Sequence, residues 1–156
     1  MIQRIQTVYL VIAGILLAIP VMLELPLATV VIDGGEYRLS PVTASLVTDA
    51  FTDKVFGSFT IAAAFALSLL LTVYAVMQYK NRKFQMRLVQ LALFLQPVIG
   101  VVVFFYADKL AQLAEGGKVN YQPVLAVLVI NVVLYVLALK GIKKDDELVR
   151  SADRLR

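Results

Sequence analysis

Four stretches of the chain, residues 5–23, 55–79, 88–106 and 121–139, run without a single charged side chain. Each is close to the roughly 20 apolar residues that a helix needs to cross the hydrocarbon of a bilayer. The pattern therefore predicts an all-α membrane protein: a four-transmembrane-helix bundle made as one domain over residues 1–156. Between the apolar stretches lie a loop of residues 24–54, a short basic linker of residues 80–87 and a tail of residues 140–156. The linker is so short that the second and third spans are expected as antiparallel neighbours. Pro20 falls near the end of the first span, where a kink is tolerated because neighbouring helices or water satisfy the freed carbonyl. The first span runs longer than the central region of a signal peptide, and Glu24-Leu25-Pro26-Leu27 offers no small-residue cleavage pattern, so an uncleaved span is expected.

The periodicity changes in the long loop. Residues 27–32 and Glu36-Tyr37-Arg38-Leu39 are β-branched or aromatic runs around Asp33-Gly34-Gly35, the signature of a small β-hairpin. Farther along, Leu46, Ala50 and Lys54 recur at helical spacing with Asp49 and Asp53 beside them. That spacing predicts a short interfacial helix over residues 42–56 before the second span.

Charge adds an orientation. Arg4, then Lys80, Arg82, Lys83 and Arg87, then Lys140, Lys143, Lys144, Arg150, Arg154 and Arg156 fall on one side of the spans. Only Arg38, Lys54, Lys109 and Lys118 fall on the other, together with most of the acids. Basic residues beside span ends mark the cytoplasmic side. Both termini are therefore expected in the cytoplasm, with the loop of residues 24–54, its hairpin and residues 107–122 outside.

Composition agrees and narrows the chemistry. With 60% hydrophobic and 17% charged residues the chain lies outside the soluble globular range. The net charge of +4 is accounted for by topology and by attraction to anionic lipid headgroups, so membrane lipids are expected partners and nucleic acid is not. The absence of cysteine and histidine removes disulfides, thiolate nucleophiles, the commonest haem and zinc ligands and the usual general base. No cofactor and no metal are expected.

Inside the spans the polar side chains are amides and hydroxyls, including Ser68, Thr72, Gln90, Gln96, Asn131 and Tyr135, with no acid or base that a proton relay would use. Ala92, Gln96 and Gly100 recur every four residues, and Asn131 and Tyr135 are one turn apart. These are expected to meet across the bundle, as interhelical hydrogen bonds or as a polar pocket. Gly14 with Ala18, and Ser58, Ala62 and Ala66, form stripes that let helices approach closely. Tyr9, Tyr79, Phe84, Tyr106 and Tyr121 suit the headgroup level. Asp49 and Asp53 are the only acid pair worth weighing as an outer-face site, and a solvated helix face explains them more simply. The tail from Lys143 to Arg156 places its acids first and its bases last, which suits a short amphipathic helix lying on the membrane or on a protein.

The opening Met1-Ile2-Gln3-Arg4-Ile5-Gln6-Thr7-Val8-Tyr9-Leu10, the step Tyr79-Lys80-Asn81-Arg82 and the closing residues 146–156 resemble a known family. It is a family of small four-helix membrane proteins from Bacteroidota, DUF family forty-two ninety-three. The likeness covers essentially the whole chain and implies an inner-membrane location in a Gram-negative cell. It carries no catalytic or ligand residues.

The expectation is therefore a non-enzymatic accessory or structural subunit of a larger membrane complex. Its partner surface would be built from Arg4, Lys80, Arg82, Lys83, Arg87, Arg150, Arg154 and Arg156, and other membrane proteins would be its partners. Gln90, Gln96, Asn131 and Tyr135 are the candidate intramembrane polar contacts. The alternative is a small carrier or lipid- or quinone-binding protein with a polar pocket between the third and fourth spans.

Overall fold

The computed structural model describes residues 5–32, 34–48, 51–79, 81–115 and 117–154. Four helices carry the four apolar stretches: α1 (Ile5–Met22), α2 (Phe59–Met77), α3 (Arg82–Leu113) and α4 (Ala126–Arg154). All four are long and apolar enough to cross a membrane. Each packs on its neighbours in the chain, and α4 closes the ring against α1. Helix α1 continues through Pro20 and ends where Leu25 N–H bonds back to the Pro20 carbonyl, with Glu24 at φ 45°. That is a helix stop of the Schellman type, usually built on glycine.

Helix α3 has 32 residues, about 48 Å at 1.5 Å per residue, and so extends well past the apolar stretch at both ends. The basic stretch expected as a linker is helical from Arg82 onward, because Asn81 accepts the Phe84 N–H at 3.2 Å and caps the first turn. Likewise α4 runs unbroken from the apolar stretch through the charged tail to Arg154, so the tail helix is one with the fourth span.

The loop after α1 folds into strands: β1 (Ala28–Ile32), β2 (Gly35–Leu39), β3 (Thr43–Val47) and β4 (Thr52–Gly57). With β5 (Val119–Tyr121) they form one antiparallel sheet in the order β4-β3-β2-β1-β5. The expected hairpin is present, pairing Ala28 with Leu39 and Ile32 with Gly35, with Gly34 at φ 89° in its turn. The sequence understated the sheet in two respects. The chain is not all-α, and the interfacial helix expected over residues 42–56 is replaced by β3 and β4. Thr43, Val47, Thr52, Val55 and Phe56 are β-branched or aromatic, and β2 offers β3 an edge to pair with, register Leu39 to Ala44. Local helical spacing loses to that pairing.

One face of the sheet is buried. Ala28, Val30, Leu39 and Ala44 are fully enclosed and join Ala107 and Leu110 of α3 in one cluster that continues into the bundle through Leu17, Ile61, Phe65, Ile99 and Val103. The long α3 is thus the post on which the sheet leans. At the start of α2, Ser58 is buried and its hydroxyl donates to the Ser40 carbonyl at 2.7 Å. This bond ties helix to sheet. Since β5 pairs with β1, both loops of the sheet lie at one end of the bundle, and the start of α1 and the end of α4 lie at the opposite, terminal end.

Candidate functional site

Near the middle of the bundle, five polar side chains from three helices are buried: Ser68 and Thr72 of α2, Gln96 of α3, and Asn131 and Tyr135 of α4. Helical period places them inward, since Ser68 and Thr72, Ala92 and Gln96, and Asn131 and Tyr135 each sit one turn apart. All five are sealed, none more than 1% exposed. The Thr72 hydroxyl donates to the Ser68 carbonyl at 2.8 Å, and its oxygen lies 2.6 Å from the Tyr135 hydroxyl. With the Thr72 proton used in its own helix, Tyr135 is the donor of that pair. The Gln96 amide nitrogen donates to the Ser68 hydroxyl at 2.9 Å and to the Ala92 carbonyl at 3.0 Å. Three polar atoms of these five side chains have no hydrogen-bonding partner among the described residues: Gln96 Oε1 and both amide atoms of Asn131.

Of the residues the sequence singled out inside the spans, Gln96 and Tyr135 are linked through Ser68 and Thr72 of α2, and Asn131 is buried one turn from Tyr135 on α4. Gln90 stays apart, exposed on the outer side of α3.

Sequence reading missed a second polar group at the terminal end. Gln6 is 2% exposed and donates to the Asp145 carboxylate at 3.3 Å, linking α1 to α4. Gly141 permits this approach, because a Cβ there would stand 3.2 Å from Gln6 Cβ. Gln85 is 1% exposed and, among the described residues, neither of its amide atoms has a partner. The signal was available: Gln85, Leu88, Val89, Ala92, Gln96, Ile99 and Val103 form one inward stripe of α3, but assigning residues 80–87 to a linker cut it short.

The basic residues at that end are distributed. Lys83 and Arg87 are exposed, and Arg82 is partly buried with its Nε unpartnered. All three sit in the first turns of α3, whose own first turn contains no acid. Arg150 and Arg154 belong to the last turns of α4. Arg4, Lys80 and Arg156 lie outside the described residues.

At the sheet end, Asp53 is exposed on β4 and pairs across to Leu46, while Asp49 lies outside the described residues. Asp53 stands on a strand, not on the helix expected to carry it. Among the described residues no group of three or more acidic, histidine or cysteine side chains could hold a metal ion. A shallow cleft of about 610 Å³ opens between the hairpin and the end of α3, bounded by Val31, Ile32, Tyr37, Leu113 and Glu115.

The family model for a domain of unknown function, DUF4293, matches residues 2–155. The chain belongs to the DUF4293 family. That match spans the sheet as well as the helices, so the DUF4293 unit here is the bundle and its cap together. No curated protein matches the chain.

Proposed function

We propose that this DUF4293 protein is a non-catalytic accessory or structural subunit of a larger membrane assembly. It sits in a bacterial inner membrane, with its termini in the cytoplasm and its sheet outside. The observation that carries the reading is the unbroken course of α4. Among its described side chains the last fully buried one is Ile142, yet the helix continues to Arg154 and presents Leu148 at 59% exposure and Val149 at 40%. A stiff helical arm bearing apolar side chains among charges suits a protein partner at the terminal end.

The orientation rests on charge. Arg82, Lys83 and Arg87 stand at the positive end of the α3 dipole, where bases are unfavourable for the helix itself. Their placement is explained by the cytoplasmic preference of lysine and arginine beside a span. The closed central cluster favours a scaffold over the carrier or quinone-binding alternative, because Gln96, Asn131 and Tyr135 have no opening in this conformation.

The test is purification from the native membrane in mild detergent, with mass spectrometry of co-eluting chains. A defined partner whose recovery falls at least tenfold with Leu148→Ser and Val149→Ser together supports the proposal. Recovery of a lone monomer under several gentle conditions overturns it.

A further inference from the structure

We propose that the cleft between the hairpin and the C-terminal end of α3 binds an organic cation: an ammonium group on an apolar stem, carried by a small alkylamine or by a lysine of a neighbouring protein. The cleft holds about 610 Å³. Small-molecule sites usually hold roughly 300–1,000 Å³ and combine apolar walls with a few polar groups. Here Val31, Ile32 and Leu113 are apolar lining residues, Tyr37 brings an aromatic ring and Glu115 a carboxylate. The site lies at the sheet end, beyond the apolar stretch of α3.

Charge selects the ligand. The cleft closes on the end of a 32-residue helix, where the backbone dipole places partial negative charge. Lysine or arginine in the last turn commonly offsets that charge, and the last turn of α3 has neither. An acid follows instead. Glu115 comes directly after the cap residue Ala114, at φ 52°, in a left-handed conformation that glycine usually supplies at this position. Its carboxylate is repelled by the helix end and its backbone is strained, so both local terms disfavour a glutamate there. A cation in the cleft offsets the repulsion, whereas an anion would add to it. The aromatic ring of Tyr37 is a further attraction for a cation.

Close packing holds the acidic turn against the hairpin wall. A Cβ at Gly117 would stand 2.5 Å from Val30 Cγ1, so only glycine lets the chain leave Glu115 this near to β1. Lys118 is exposed one residue farther on and weakens the negative field. Its removal should therefore strengthen binding.

The experiment is an NMR titration of the full chain in phosphatidylcholine nanodiscs with n-butylammonium, n-butanol and a capped lysine tripeptide, reading the amide signals of Val31, Ile32, Leu113 and Glu115. The expected result is a saturable shift with butylammonium in the millimolar range and none with butanol. Glu115→Gln should weaken that binding at least tenfold, and Lys118→Gln should strengthen it. Glu24→Gln is the control, because Glu24 ends α1 in a similar backbone conformation, and it should change nothing. Tighter binding of the tripeptide than of butylammonium assigns the site to a protein lysine, and the reverse assigns it to a free amine. Equal shifts with butanol, a shift that does not saturate, or an equal loss in Glu24→Gln overturns the proposal. The wild-type comparison of butylammonium with butanol decides the matter if Glu115→Gln does not fold.

Discussion

The two halves of this molecule are held together by different chemistry. Nearest the sheet the interior is mostly large apolar side chains, among them Leu17, Leu27, Val30, Leu39, Phe65, Ile99, Val103 and Leu110, with Ala28, Ala44 and Ala107 where sheet and α3 meet. Toward the terminal end the cluster draws one alanine from every helix, Ala13, Ala75, Ala92 and Ala138, around Leu10, Leu88, Val89, Tyr135 and Ile142. The buried amides Gln6, Gln85, Gln96 and Asn131 belong to this half or its border. A sheet that meets water on its outer face gains free energy by burying its inner face, so bulky apolar residues serve it. Helices already surrounded by lipid gain nothing of that kind from meeting each other. Close approach through small residues and interhelical hydrogen bonds holds them instead.

That contrast can be broken by substitution, starting from the sheet. Leu39→Ala opens a cavity under β2 and should cost about 2–5 kcal/mol, measured by reversible unfolding in micelles. Hydrogen exchange should accelerate first in the sheet amides while the helix amides stay protected. If bundle amides accelerate equally, the two halves are one cooperative unit. Ser58→Ala removes the buried bond to the Ser40 carbonyl and should cost about 1–3 kcal/mol, with faster exchange at the junction of sheet and α2.

The terminal half should respond more weakly. Tyr135→Phe deletes one interhelical hydrogen bond to Thr72, worth about 0.6 kcal/mol on average for such bonds in membranes. A loss several times larger would mean that the central network acts as a unit. Gln90→Ala, on the exposed side of α3, should stay within about 0.5 kcal/mol of the parent in the same assay.

Much of this was legible before any coordinates. The four spans were readable because about 20 uncharged apolar residues have few other stable arrangements in a cell. The hairpin was readable because Asp33-Gly34 between β-branched runs is a local turn signal. The strands β3 and β4 were not, because Leu46, Ala50 and Lys54 also satisfy a helical spacing, and only the free edge of β2 decides between the two. Strand β5 was beyond reach for the same reason: three residues become a strand only because β1 lies beside them. Within the polar centre, the inward facing of Gln96, Asn131 and Tyr135 followed from helical period. The bonds of Gln96 to Ser68 and of Tyr135 to Thr72 did not, since period sets the face of a helix but not its rotation against a neighbour.

By itself, then, the sequence determined what crosses the membrane and which side chains face inward, because both depend on composition and local period along one helix. Tertiary structure alone decided that α3 outgrows its span to carry a five-stranded sheet, that α4 continues as an arm, and which buried amides find partners. Those outcomes depend on edges, depths and rotations shared between segments far apart in the chain, and no single segment encodes them.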